Sequence, residues 1–343
     1  MTVTMLKLMQ QVWKWIGGST FRLLLLASCL LLLWGTFAPV GTIVWWLQQN
    51  RELGLKKRSP RLPETNRSIS PKASMINCYI IYLPGVGDFS SDQLTPGEEW
   101  FLDRLAQQHS NCVTVRDVFP YSVANHDLND QNFMTPVWQW VKETNTDVLI
   151  QIRNLWRFAI STDDRYGRIY NRGIADTIIE RMNAVHPLPH SHPQPLKIIL
   201  IGTSGGIQVA LGAANYLDQW LKAKITVVSM GGTFDGENGF EVVDHVYHLR
   251  GQRDWIEDLP RIVFPSRWAV TVGSPFNQAR RQGRYTALSS GDHTHDGKEG
   301  YFGFAIAPSE VSYVQLTLQM VNQLPIWSNV PFSSDKQNSQ EQN

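Results

Sequence analysis

The chain has 343 residues, 43% hydrophobic and 18% charged, which fits a folded protein and excludes a disordered or fibrous one. A net charge of +1 offers no global attraction for nucleic acid, so no such partner is expected. The three cysteines show no CxxC and no Cys/His ligand spacing, and neither a metal nor a cofactor is expected.

Residues 1–22 form a short basic tail with Lys7, Lys14 and Arg22. Residues 23–47 (LLLLASCLLLLWGTFAPVGTIVWWL) carry no charge. A helix of that length reaches roughly 37 Å, enough for a ~30 Å hydrocarbon core. Trp13, Trp15, Trp34, Trp45 and Trp46 lie in or beside it, as suits rings that favour membrane boundaries. An uncleaved transmembrane anchor is expected. A signal peptide competes, because Leu26-Ala27-Ser28-Cys29 resembles a lipoprotein cleavage box, but the apolar run continues past Cys29. Arg51, Lys56, Lys57, Arg58, Arg61 and Arg67 follow the span, so the charge bias leans towards a cytoplasmic main domain. Residues 48–74 read as a Pro-rich basic linker and 328–343 as a disordered tail.

Between them, residues 75–327 alternate strand and helix. Strands are predicted at 78–83 (CYIIYL), 112–118, 147–152 (DVLIQI), 196–201 (LKIILI), 224–230, 244–249 and 284–289. Helices are predicted at 93–108, 136–143, 174–185, 205–222 and 309–323, the last with Ser309 as N-cap and Val311, Val314, Leu318 and Val321 facing inward. Such alternation implies an α/β domain with a mostly parallel sheet covered on both faces. Cys78 and Cys112 fall in neighbouring predicted strands. A disulfide between them is conceivable, and buried free thiols acting as small hydrophobes are the preferred reading.

Gly202-Thr203-Ser204-Gly205-Gly206 fits G-x-S-x-G, which chance supplies about once in ten chains of this length. Its setting makes it specific: the apolar strand LKIILI runs into it and an Ala-rich helix runs out, as a nucleophile elbow requires. Ser204 is the expected nucleophile. The Gly205 N–H, at a helix start, is the expected first oxyanion donor, and Val86 in Pro84-Gly85-Val86-Gly87 the second. A plain Pro-Gly turn is the competing reading of that loop.

A serine nucleophile calls for an acid and then a histidine downstream. Asp254, after strand 244–249, is the preferred acid, with Asp235 and then Asp258 as alternatives. The histidine belongs in Gly291-Asp292-His293-Thr294-His295-Asp296-Gly297, where His295 is preferred over His293 because Gly297 and Gly300 free its loop to turn inward. His186, His190 and His192 sit among prolines without a carboxylate or Cys at ligand spacing and read as an exposed loop. The aromatic stretch from Phe133 to Trp140 reads as a core-packing helix rather than a lid.

With Gly202 to Gly206, Asp254 and His295, the chain resembles the α/β-hydrolase superfamily over residues 76–325. It is also similar to a group of N-terminally anchored hydrolase-like proteins of cyanobacteria, through Thr294-His295-Asp296-Gly297 and Gly300-Tyr301. Pro84-Gly85 departs from the usual His-Gly before the oxyanion loop. The resemblance implies ester, thioester or amide chemistry without a cofactor and names no substrate. Three readings follow: a serine hydrolase acting on a small-molecule or lipid ester, a non-catalytic membrane-tethered interaction module, and an acyltransferase using the same triad.

Overall fold

In the computed structural model, residues 76–87, 94–121, 147–188 and 195–327 are described. The expected anchor, linker and tail, His190, His192 and the Phe133–Trp140 stretch lie outside them. No helix among the described residues is long and apolar enough to cross a membrane.

The chain runs through β1 (Cys78–Leu83), α1 (Pro96–Gln108), β2 (Val113–Val115), α2 (Asp147–Thr162), α3 (Gly167–Val185), β3 (Lys197–Thr203), α4 (Gly206–Leu221), β4 (Lys224–Met230) and β5 (His245–Arg250). It continues through the short α5 (Leu259–Val263), α6 (Pro275–Arg281), β6 (Tyr285–Ser289) and α7 (Tyr313–Asn322). The strands make one sheet in the order β2-β1-β3-β4-β5-β6. Every pairing is parallel. Parallel strands need crossovers that leave helices on the sheet faces, so the central strands β1 and β3 are buried on both faces and read as unbroken apolar runs.

Alternation along each strand divides the core. Tyr79, Ile81, Leu83, Ile198, Leu200, Ile225 and Val227 pack towards α3 and α4, with Ile160 of α2 in the same cluster. Ile80, Tyr82, Ile199, Ile201, Val228 and Met230 pack towards α1 and α7, meeting Phe101, Leu102, Leu105, Val314, Leu318 and Val321. Each such buried side chain contributes about 1.5–3 kcal/mol of transfer free energy.

Three expectations are corrected. The predicted strand 147–152 is the first part of α2, a 16-residue helix. From residue 151 on, its buried positions are Arg153, Asn154, Arg157, Ile160 and Ser161, while Leu155 and Trp156 are exposed. The helix thus turns polar groups inward, and an apolar-periodicity reading misassigns it. The closing helix starts at Tyr313 rather than near 309, because Glu310 takes a left-handed φ of 64°. Ser312 is the N-cap in place of Ser309, in a capping box with Gln315. Finally, Cys78 and Cys112 form a disulfide, with Cα atoms 4.5 Å apart. The β1–β2 register pairs Tyr79 with Val113, so the two cysteines stand opposite each other one residue earlier.

Candidate active site

The chain goes from β1 outward to β2, then returns to place β3 on the other side of β1. Between β1 and β3 the direction of winding reverses, and in open α/β sheets ligands bind in the crevice beyond the strand ends at such a point. Ser204 sits there, immediately after β3.

Ser204 has a φ of 47°. A non-glycine residue in the left-handed region costs on the order of 1–3 kcal/mol, a cost the surrounding structure must offset. Two glycines hold the turn against the neighbouring strand. A Cβ on Gly202 would lie 2.6 Å from the Leu83 carbonyl oxygen, and one on Gly206 would lie 2.4 Å from that of Pro84. The turn therefore nests on the end of β1, and the strand-turn-helix geometry requires both residues.

Gly205 caps α4, where the first N–H groups have no partner within the helix. Val86 lies directly over it: a Cβ on Gly205 would come within 2.8 Å of Val86 Cγ1. The Pro84–Gly87 loop is held from both sides. Tyr121 donates its hydroxyl to the Pro84 carbonyl at 3.2 Å, and Asn154 donates its amide to the Val86 carbonyl at 2.9 Å. Sequence reasoning missed Asn154, because it falls just beyond the predicted strand 147–152 and no motif marks it.

Asp254 and His295 meet across the ends of β5 and β6. His295 Nδ1 lies 2.9 Å from each carboxylate oxygen of Asp254. The Asp254 side chain is fully buried and that of His295 is 13% exposed. The backbone N–H groups of Ile256 and Glu257 donate to Asp254 Oδ1 at 3.1 and 3.3 Å. Tyr301 donates its hydroxyl towards Asp254 Oδ2 at 3.2 Å while accepting the Gly251 N–H at 2.8 Å. Burial, and then the charge of Asp254, push the Tyr301 phenol well up, so it stays a donor. Gly300-Tyr301 is visible in the sequence as a motif, but this role for Tyr301 is not.

The Ser204 turn and the Asp254 carboxylate border the same loop after β4. The Ser204 carbonyl accepts the Thr233 N–H at 2.9 Å. Two residues earlier, a Cβ on Gly231 would lie 2.4 Å from Asp254 Oδ2.

The other candidates are engaged elsewhere. His293 is fully buried, stacked on Tyr301 at 5.1 Å between ring centroids, with Nε2 3.2 Å from the Tyr313 carbonyl and 3.1 Å from Thr317 Oγ1. Asp235 accepts from Gln208, from the N–H groups of Glu237 and Asn238, and from the Asn238 amide, and so pins its own turn. Asp258 pairs with Arg250 and Arg261. His186 caps α3, with its ring Nδ1 3.2 Å from the Tyr79 hydroxyl.

No protein-family model matches the chain, and no curated protein matches it. Among solved structures, it is similar to a dienelactone hydrolase-like promiscuous phosphotriesterase from metagenomic libraries, at 13% identity and a TM-score of 0.38, over 71% of this chain and 82% of the other.

Proposed function

We propose that the protein is a membrane-anchored serine hydrolase that cleaves an ester or thioester through Ser204, His295 and Asp254, without a cofactor. One observation carries this reading: a serine strained to a φ of 47° at the switch point, on the same sheet edge as a bonded His295–Asp254 pair. Ser204 Oγ attacks the acyl carbonyl while His295 takes its proton and returns it to the leaving group; water, deprotonated by the same imidazole, then attacks the acyl-enzyme, releasing the acid and returning the proton to Ser204 Oγ. Asp254, accepting from Nδ1, fixes the tautomer that leaves Nε2 free to act. The N–H groups of Gly205 and Val86 receive the developing oxyanion, helped by the N-terminal end of α4.

The surface beside the site supports a lipid or acyl substrate. Trp255, the neighbour of Asp254, is 67% exposed, and Ile262, Val263, Val270 and Val272 continue the apolar exposure along the same segment. Such a surface suits acyl chains and a bilayer, where the apolar run 23–47 would hold the domain. The Cys78–Cys112 bond supports placing that domain in an oxidising compartment, against the lean of the basic flanks.

The test is labelling of the full chain in detergent with a fluorophosphonate probe. Wild type is expected to label and Ser204→Ala is not. Equal labelling of both would end the proposal, and no labelling of folded wild type would favour the interaction module. Product analysis with an added alcohol separates hydrolysis from acyl transfer.

A further inference from the structure

The core holds a second serine–histidine–carboxylate array. Ser229 Oγ on β4 lies 2.7 Å from His248 Nδ1 on β5, and His248 Nε2 lies 2.6 Å from Glu257 Oε2. Arg250 donates its Nε to the other oxygen of Glu257. Ser229 and His248 are fully buried and Glu257 is 1% exposed. No substrate reaches this array, so it is not a second active site.

Its protonation follows from the environment. Burial pulls the His248 imidazole below its usual range, more than the bond to Glu257 raises it. Burial pushes the Glu257 carboxyl up, but the bonds to His248 and Arg250 outweigh that and hold it below the usual range. The neutral ring therefore donates Nε2–H to a carboxylate and accepts the Ser229 hydroxyl proton at Nδ1. The Arg250 cation balances the one charge.

Glu257 ties this array to the site. Its backbone N–H donates to Asp254 Oδ1 at 3.3 Å, beside that of Ile256 at 3.1 Å. Arg250 also holds Asp258 at 3.1 Å. Two side chains of β5 thus grip residues 257 and 258 and close the intervening loop, with Asp254 at its centre.

We propose that Ser229, His248, Glu257 and Arg250 form a positioning relay that sets the Asp254 carboxylate, and through it His295, for the reaction. None of the four touches substrate; they act through the backbone donors at 256 and 257. This rests on reading Asp254 as the acid of the site. A group displaced by even 1 Å from its productive geometry can lose about a hundredfold in rate.

The experiment follows turnover of p-nitrophenyl butyrate by the full chain in detergent. It compares wild type, Glu257→Gln, Arg250→Gln and Arg250→Lys, with Ser204→Ala as control. Glu257→Gln and Arg250→Gln are expected to lower kcat about ten- to a hundredfold, with KM within about twofold, and Arg250→Lys to recover most of the loss. Arg250 is 31% exposed, so its variants carry the test if Glu257→Gln does not fold. An unchanged kcat in folded Arg250→Gln, with only a lower melting temperature, would overturn the relay. If Ser204→Ala turns over like wild type, the failure belongs to the nucleophile assignment. The relay is then judged by the downfield proton resonance of the His295–Asp254 bond, expected to shift or vanish in Arg250→Gln; a resonance identical to wild type would sink it.

Discussion

Two groups of serine, histidine and carboxylate belong to one domain, one closed inside it and the other set at the ends of its strands. Ser229 and His248, on adjacent strands, and Glu257, in the turn after β5, are buried and bonded to one another and to Arg250. Ser204, His295 and Asp254 stand on loops beyond the strand ends, with the serine strained and the imidazole partly open. The contrast teaches that identity and order of residues do not make a nucleophile. What separates the two serines is position: Ser229 lies within a strand, and Ser204 follows the end of one with a left-handed φ.

The sharpest way to break that comparison is to remove each serine. Ser204→Ala is expected to abolish ester turnover, a loss on the order of 10⁴-fold or more, whereas Ser229→Ala should still label with fluorophosphonate. Labelling that survives in Ser204→Ala and disappears in Ser229→Ala would invert the assignment. The histidines come next. His295→Ala should lose activity with a melting temperature near wild type. His293→Ala breaks buried bonds to Tyr313 and Thr317, so about 1–3 kcal/mol of stability should go, read by thermal unfolding.

A smaller effect is expected at Tyr301. Tyr301→Phe keeps the ring stacked on His293 and removes one donor to Asp254, so kcat should fall about three- to tenfold, in line with the ~0.5–1.5 kcal/mol net worth of a hydrogen bond. The mildest test concerns pH. Because His248 titrates lower in the folded protein than in the unfolded chain, the unfolded chain takes up the proton first as pH falls below 6.5. Stability should therefore fall on acidification through that window, and the slope should flatten in His248→Gln, as measured by denaturant midpoints from pH 7.5 to 5.

The sheet is legible in the sequence where strands are buried on both faces, because CYIIYL and LKIILI can hardly be anything else between turns. Ser204 is legible for the same reason: a motif gains meaning from the strand before it and the helix after it. The start of α2 is not, because a short apolar run suits either element and this helix buries Arg153, Asn154 and Arg157 while exposing Leu155 and Trp156. The capping box Ser312-x-x-Gln315 is present in the sequence, but Ser309 offers an equally good N-cap residue type until the left-handed turn at Glu310 is seen. The relay is invisible beforehand, since His248 reads as one more residue of an alternating strand until β4 and Glu257 are packed beside it.

The disulfide has a mechanical consequence. Cys78 is the first residue of β1, the strand nearest to whatever precedes the domain. A pull from that end runs along β1, which is paired in parallel on both sides and so loads its hydrogen bonds together in shear. Already at the first residue of the strand the force reaches a covalent link, and it is shared with β2 through Cys112. The end at which the domain would be tethered thus enters the sheet through a covalent cross-link.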